Sequence, residues 1–211
     1  MTRCRLAMFD FDGTLADSVG WLIGALAAVS GRYGLEPFDP DTLDELRGLD
    51  TGAIMARLGL PLWKVPALAR EMRRRMHEDI DSIALFAGVP ALLNDLHAAG
   101  VGIAIVTSNS EENVRRVLGN ELAARIDAFE CGVSIFGKKP KLAAAMKRCG
   151  STPTESIYIG DELRDADAAA ALGIDFLGVG WGVATPEALQ RRTGSMPCAD
   201  LHALRAALLG R

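Results

Sequence analysis

Apolar and polar positions along the chain follow two different periods. Short apolar runs that end in a turn signal are typical of buried strands, and between them apolar residues recur at the spacing of an amphipathic helix. Strands that alternate with helices of about ten residues indicate βαβ units and a parallel sheet. The strands are predicted at 6–9, 101–106, 129–133, 156–159 and 176–179, and the helices between and after them at 91–99, 111–118, 141–149, 163–172 and 200–209.

The segment between the first two strands departs from this alternation. No period-2 strand pattern appears between residues 19 and 85, so this segment is expected to be helical throughout. Its helices are predicted at 19–32, 41–47, 51–58 and 66–79. The sequence F-A-G-V-P at residues 86–90 marks the return to the α/β core. Its proline suits the first position of a helix, and the first helix of the core is predicted to follow it. We therefore predict an α/β core made of residues 1–17 and 86–211, and an all-helical domain made of residues 18–85.

Composition limits the classes of function. The 211 residues carry a net charge of -4, unlike the basic footprint of a nucleic-acid-binding protein. The four cysteines form no C-x-x-C pair, so neither a structural zinc site nor a disulfide framework is expected. Acidic residues interrupt the first apolar stretch, and Val19–Ser30 is too short to span a bilayer. We expect a cytoplasmic protein that binds neither nucleic acid nor membrane.

Two carboxylates, Asp10 and Asp12, follow the first predicted strand in the sequence D-F-D-G-T-L-A-D-S. Open α/β sheets bind their ligands at the carboxyl ends of the strands. Two like charges buried this close are unfavourable unless a cation or a reacting group is shared between them. The alternative is a polar strand end at which Asp12-Gly13 forms an ordinary turn.

These nine residues resemble the first motif of the haloacid-dehalogenase-type (HAD) phosphohydrolases, D-x-D-G-T-[LV]-x-[DE]-S. The resemblance implies an α/β fold with a HAD-like Rossmannoid three-layer core and a parallel sheet, and it identifies the helical segment as a small C1-type cap domain. It also implies that Asp10 is the nucleophile and Asp12 the general acid/base. Dehalogenase members lack the second aspartate, so Asp12 favours phosphoryl chemistry.

A second polar cluster, Thr107-Ser108-Asn109, follows the second predicted strand. A hydroxyl group and backbone N–H groups at a strand-to-helix turn can hold phosphate oxygens. The simpler alternative is that Ser108 or Asn109 caps the next helix. Thr107 is the residue that aligns with the second motif of the family, and the resemblance implies that this cluster binds the substrate phosphate.

A cation is expected beside the nucleophile, and the sequence F-G-K-K-P-K at residues 136–141 offers three lysines. A lysine ammonium is a compact point charge suited to this role, whereas a loop lysine is ordinarily solvated. Relatives with K-P-x-P at the third motif would select Lys139, and relatives with F-G-K before a basic helix would select Lys138. We prefer Lys138, with Lys139 as the alternative.

A fourth cluster, G-D-E-L-R-D, follows the fourth predicted strand and resembles the motif G-D-x-x-x-D. Carboxylates that face Asp10 would form an oxygen-rich site for Mg²⁺, which takes one or two carboxylates together with substrate phosphate. The resemblance implies that Asp10, Asp161 and the backbone carbonyl of Asp12 bind the ion, with Asp165 or Glu162 in support. The alternative is that these acids only stabilise a helix N-terminus.

The four clusters occur in the order of the family and span nearly the whole chain. They imply a Mg²⁺-dependent, phosphoglycolate-phosphatase-like hydrolase that acts on a small phosphomonoester through an aspartyl-phosphate. The alternatives are a phosphomutase of the same superfamily and a catalytically idle binding or regulatory protein. The motifs predict neither the substrate nor the oligomeric state. In the cap, Arg47 is a candidate for holding an anionic part of the substrate, and a surface role is the alternative.

Overall fold

The computed structural model describes residues 4–36, 40–132 and 137–210. At its centre lies a sheet of five parallel strands: β1 (Leu6–Phe9), β2 (Gly102–Val106), β3 (Ala128–Glu130), β4 (Ser156–Gly160) and β5 (Asp175–Gly178). Their spatial order is β3-β2-β1-β4-β5, which places the first strand of the chain in the middle of the sheet. The predicted α/β fold with a parallel sheet is confirmed.

The α-helices of the described residues follow in chain order. They are α1 (Val19–Tyr33), α2 (Pro40–Arg47), α3 (Thr51–Arg57), α4 (Val65–Glu78), α5 (Val89–Ala98), α6 (Glu111–Ala123), α7 (Lys138–Cys149), α8 (Leu163–Ala170), α9 (Pro186–Thr193) and α10 (Leu201–Leu209). Successive strand residues point to opposite faces. Ala7 and Phe9 accordingly pack with α5, α6 and α10, while Leu6 and Met8 pack with α7 and α8. The result is a three-layer core.

The helices α1 to α4 have an apolar cluster of their own, which includes Val29, Leu35, Leu68 and Met55. An isolated antiparallel bridge between Ala16 and Leu85 joins the points where the chain leaves and re-enters the core. The division into a core of residues 1–17 and 86–211 and a helical cap of residues 18–85 stays a prediction. Residues 1–3, 37–39, 133–136 and 211 of these segments lie outside the described residues.

Helix α9 is absent from the sequence prediction. Thr185 is its N-cap and accepts a hydrogen bond from the N–H of Ala188, and Pro186 occupies its first position. The helix buries only two residues, Ala188 and Leu189, so the apolar period that reveals a helix in a sequence is too short to detect.

Three other predicted bounds were wrong by three residues or more. Helix α7 begins at Lys138 rather than at residue 141, because Pro140 is tolerated in the first turn of a helix. Helix α6 continues past residue 118 to Ala123 across a kink at Gly119, whose φ is 70°. Strand β3 ends at Glu130, and Val133 of the predicted strand lies outside the described residues.

Of the helices in the described part of the chain, none combines the length and hydrophobicity that a bilayer crossing requires.

Candidate active site

The ends of β1, β2 and β4 bring the candidate residues to one edge of the sheet, called here the carboxyl edge. Phe9 in β1 is paired with Ile105 on one side and with Ile159 on the other. The next residue, Asp10, donates its backbone N–H to the carbonyl of Ile159 at 2.8 Å. Residues that directly follow neighbouring parallel strands therefore share one space. This edge holds Asp10, Asp12, Thr107, Ser108, Asn109, Asp161, Glu162 and Asp165.

Lys138 lies between two buried carboxylates at this edge. Its Nζ is 2.6 Å from Oδ2 of Asp10 and 2.5 Å from Oδ1 of Asp165, and its side chain is 2% exposed. Burial alone would lower the pKa of Lys138, but the two carboxylates outweigh it and raise the pKa, so the ammonium stays charged. Lys139 is exposed. Of the two lysines, Lys138 is the one beside Asp10; Phe136 of the same sequence pattern lies outside the described residues.

Three buried carboxylates, Asp10, Asp161 and Asp165, have oxygens within 4.8 Å of one another. Burial raises the pKa of Asp10 from its ordinary value of 3.8 to about 7, against the opposing charge of Lys138. Burial raises the pKa of Asp161 well above its ordinary range, and the neighbouring Asp10 adds to this rise. The donors are all oxygens and their negative charge is costly without a cation, so the cluster fits a hard divalent ion.

Asp161 is held by groups from two other segments. Thr14 donates its hydroxyl to Oδ1 at 2.8 Å, and Val183 donates its backbone N–H to Oδ2 at 2.7 Å. Gly13 and Gly182 approach the same carboxylate so closely that a Cβ at either position would overlap it. The sequence reasoning missed Gly182 and Val183, because their contact depends on the path of the loop after β5. The closely spaced glycines of that loop were the available signal.

Asp12 is held by a separate set of donors. The hydroxyl of Ser18 donates to Oδ1 at 3.0 Å, and Nδ2 of Asn109 lies 3.2 Å from Oδ1 and 3.1 Å from Oδ2. Burial raises the pKa of Asp12, and these hydrogen bonds oppose the rise. A carboxyl group with a raised pKa and a fixed orientation suits proton transfer.

The segment Thr107-Ser108-Asn109 is ordered by local hydrogen bonds. Thr107 is buried, and its hydroxyl oxygen accepts the N–H of Asn109 at 3.1 Å. Ser110 caps α6 by accepting the N–H of Asn113, so the alternative that Ser108 or Asn109 caps this helix is wrong. The side chain of Asn109 contacts both Asp12 and Asn113; phosphate binding by the segment stays a prediction.

Glu162 and Asp165 form a reciprocal capping box at the start of α8. Oδ2 of Asp165 accepts the backbone N–H of Glu162 at 3.1 Å, and its Oδ1 accepts the hydroxyl of Tyr158 at 3.1 Å. Glu162 also forms an ion pair with Arg164. Asp165 therefore does stabilise the N-terminus of a helix, as the alternative stated, but it also contacts Lys138.

Arg47, at the end of α2, contacts the loop after β5. Its Nε donates to the carbonyl of Val183 at 2.9 Å and its Nη2 to the carbonyl of Gly182 at 3.2 Å. The backbone carbonyl of Arg47 accepts the N–H of Thr185 at 3.0 Å. Arg47 thus ties the helical segment to the loop that holds Asp161, and its contact with an anionic substrate stays a prediction.

A cavity of about 320 Å³ adjoins this edge and extends between the helices α1 to α4. Asp10, Asp12, Ser108 and Asn109 line it on the side of the sheet. The nucleophile and acid/base candidates therefore face a space that is large enough for a small ligand.

Known proteins are similar to this chain in sequence and in fold. The family profile described as haloacid dehalogenase-like hydrolase matches residues 7–179. The phosphoglycolate phosphatase of Synechococcus elongatus is 31% identical over 176 residues, which are 83% of this chain and 83% of that protein. The tyrosine-protein kinase PtkA of Mycobacterium tuberculosis is 28% identical over 210 residues, which are 97% of this chain and 72% of that protein.

A solved structure of a haloacid dehalogenase-like family hydrolase from Streptococcus pneumoniae superposes with a TM-score of 0.79 at 21% identity, and the alignment covers 100% of each chain. This likeness extends the agreement in fold to the helical segment as well as the sheet. The family profile and the 31% identity to a curated phosphatase confirm the predicted family. The chain therefore belongs to the haloacid dehalogenase-like hydrolases, among their phosphoglycolate-phosphatase-like phosphatases.

Proposed function

We propose that this phosphatase hydrolyses a small phosphate monoester in a Mg²⁺-dependent reaction that passes through an aspartyl-phosphate on Asp10. The observation that carries the proposal is the setting of Asp10. It lies beside the charged Lys138 and within 4.8 Å of two further carboxylates, while Asp12 is held separately by two donors. These contacts support a role in attack for Asp10 and a role in proton transfer for Asp12.

Asp10 and Asp161 would bind Mg²⁺ directly, with the backbone carbonyl of Asp12 as a further ligand. The raised pKa values of Asp10 and Asp161 support this assignment, because each carboxylate is costly to ionise until a cation shares its charge. Asp165 already pairs with Lys138, so its part is to hold the lysine rather than the ion. When bound, the ion would offset the charge of the nucleophile and of the transferring phosphoryl group.

The reaction would consist of two displacements. In the first, an oxygen of Asp10 forms a bond to phosphorus while the bond to the leaving oxygen breaks, and Asp12 gives its proton to that oxygen. In the second, Asp12 takes a proton from water, which attacks phosphorus and releases inorganic phosphate from Asp10. Lys138 and the segment at Thr107 would stabilise the non-bridging oxygens of the phosphoryl group. The hydrogen bond from Asn109 would keep Asp12 oriented in both steps.

The test is phosphate release from a panel of phosphomonoesters, with Mg²⁺ and with EDTA, by the native protein and by Asp10→Asn. Release is expected only from the native protein with Mg²⁺, and acid-quenched samples should carry a phosphoryl adduct on Asp10. Asp81→Asn is the matched control, because the Asp81 side chain is 92% exposed. Near-normal release by Asp10→Asn would rule out the covalent mechanism. Equal release in EDTA would rule out the metal requirement.

A further inference from the structure

The cavity beside Asp10 and Asp12 extends into the interior of the helices α1 to α4. Its volume of about 320 Å³ lies at the lower end of the range for small-molecule sites. Among the described residues, every lining residue between Ile54 and Ala69 is apolar, and so is every lining residue of α1. The part of the cavity that is distant from the sheet is therefore apolar.

Helix α1 borders this space with large side chains. Val29 is buried in the apolar cluster of the helices, whereas Trp21, Leu22 and Leu26 keep partial exposure and line the cavity. Protein interiors are close-packed, and voids larger than a water molecule are few. Apolar cavities stay dry and accept apolar ligands, and about 150 Å³ is enough for benzene. A volume of this size points to a ligand rather than to loose packing.

The polar lining residues from the helical segment all lie at the end near the sheet. Ser18 donates to Asp12, and Nη1 of Arg73 donates to the carbonyl of Ser108 at 3.3 Å. Arg47 donates to carbonyls of the loop after β5. Each of these contacts joins the segment to the carboxyl edge, so the cavity has one polar end, at the reactive carboxylates, and one apolar end.

The cations that line the cavity in the described ranges are Arg47, Arg73 and Arg164. Arg47 and Arg73 donate to backbone carbonyls, and Arg164 pairs with Glu162. All three belong to the polar end, near the position proposed for the phosphate. A carboxylate on the distant part of a substrate would meet apolar side chains instead, which is unfavourable.

We infer that the cavity binds the leaving group of the substrate, and that this group is an uncharged alkyl or aryl alcohol. Given the volume, a leaving group of roughly six to eight carbon atoms would fit beside the phosphate. The inference rests on the proposed function, which places the phosphate at Asp10 and the ester oxygen near Asp12. Hydrolysis of such an ester yields the free alcohol, which takes the proton from Asp12, and inorganic phosphate, which takes its oxygen from water.

The test is kcat/KM for a series of n-alkyl phosphates from ethyl to octyl, together with phenyl phosphate and 2-phosphoglycolate. Each added methylene is expected to raise kcat/KM by about fourfold until the cavity is filled. Hexyl phosphate should exceed both ethyl phosphate and 2-phosphoglycolate by more than tenfold. A hexyl phosphate that carries a terminal carboxylate is the matched substrate control and should lose most of this gain.

Ala69→Leu tests whether the cavity is the site of this selection. Ala69 lines the cavity within α4, and leucine suits a helix interior almost as well as alanine. The added side chain should lower kcat/KM for hexyl phosphate by at least tenfold more than for ethyl phosphate. Ala67→Leu, in the same helix but outside the cavity lining, is the control and should keep the native dependence on chain length.

The outcomes separate this inference from the proposed function. Phosphate release that Asp10→Asn abolishes, but that is independent of chain length or highest for 2-phosphoglycolate, would overturn the inference alone. An equal effect of the two leucine variants on hexyl phosphate would also overturn it. No release from any ester would overturn the proposed function and the inference with it.

Discussion

The ammonium of Lys138 lies 2.6 Å from the carboxylate of Asp10 and is almost fully buried with it. A second contact, at 2.5 Å to Asp165, also holds the lysine in place. Because an opposite charge favours the ionised form of a carboxylate, the lysine lowers the cost of ionising Asp10, and the proposed attack requires this ionised form.

Lys138→Ala is expected to lower kcat by about 100- to 1,000-fold, the usual effect of removing one charge-stabilising donor. Lys139→Ala is the matched control and should stay near the native rate, because Lys139 is exposed. Removing Lys138 also leaves two carboxylates without their buried partner, so the melting temperature of each variant is measured with the rate. Lys138→Arg keeps the positive charge but should still lower kcat, because the larger, planar guanidinium group is not expected to fit between the two aspartates. Inactivity of Lys139→Ala alone would contradict the assignment.

In EDTA, Asp10→Asn is expected to be more stable than the native protein at pH 8. Folding raises the pKa of Asp10 from its ordinary value of 3.8 to about 7. Between these two pH values the folded protein retains a proton that the unfolded chain releases. The free energy of unfolding therefore falls as the pH rises through this range, and the loss is complete above about pH 7. The difference between the two proteins is at most about 4 kcal/mol and should vanish near pH 4.

Urea unfolding at pH 5 and pH 8 measures this effect. A second experiment compares the melting temperatures of the two proteins with and without Mg²⁺. A ligand that binds only the folded state raises its stability, so Mg²⁺ should raise the melting temperature of the native protein more than that of Asp10→Asn. A variant that is less stable than the native protein at pH 8 in EDTA would show that the attraction to Lys138 outweighs the cost of burial.

Gly182→Ala is expected to weaken Mg²⁺ binding at least tenfold and to lower kcat by a similar factor. A Cβ at Gly182 would overlap the side chain of Asp161, so that either the loop or the carboxylate must move, and overpacking of this kind costs about 1–3 kcal/mol. Gly20→Ala is the control, since a Cβ at Gly20 in α1 meets nothing within 4 Å. Calorimetric titration of Mg²⁺ separates the two variants. Native affinity in Gly182→Ala would mean that the proposed ion does not depend on the position of Asp161.

Sequence reasoning succeeded where chemistry is confined to strand ends. Asp10, Thr107 and Asp161 each follow an apolar strand directly, and parallel strands must end at a common edge. Their convergence therefore follows from the pattern of apolar runs, before any contact is known. The resemblance to the family also reduced the three lysines of residues 138–141 to Lys138 and Lys139, but only the start of α7 at Lys138 decides which of them is buried.

Contacts between distant loops could not be predicted in this way. Gly182 and Val183 reach Asp161 only because the loop after β5 folds back over the carboxyl edge. The hydrogen bond from Asn109 to Asp12 depends on the side-chain orientation of Asn109, which Asn113 helps to fix. Neither arrangement has a local sequence period, and α9 was missed because it buries too few residues to show one.

Arg47→Gln is expected to raise KM about tenfold for every phosphomonoester, charged or uncharged. The Arg47 side chain donates hydrogen bonds to the carbonyls of Val183 and Gly182, and hydrogen bonds from a charged group contribute about 1.5–3 kcal/mol each. Their loss would loosen the helical segment from the loop that holds Asp161, so all substrates should be affected alike. Steady-state kinetics with ethyl phosphate and 2-phosphoglycolate measure this.

The same pair of substrates decides between the two roles of Arg47. If Arg47 binds an anionic leaving group, Arg47→Gln should raise KM for 2-phosphoglycolate only. KM for ethyl phosphate should stay unchanged, because its leaving group carries no charge for Arg47 to bind. Arg57→Gln is the matched control in the helical segment, since its only ion pair in the described residues is a 3.7 Å contact with Glu45 and its side chain is 49% exposed. A selective effect on 2-phosphoglycolate would assign Arg47 to the substrate. An equal effect on both esters, absent in Arg57→Gln, would assign it to the closure of the helical segment over the carboxyl edge.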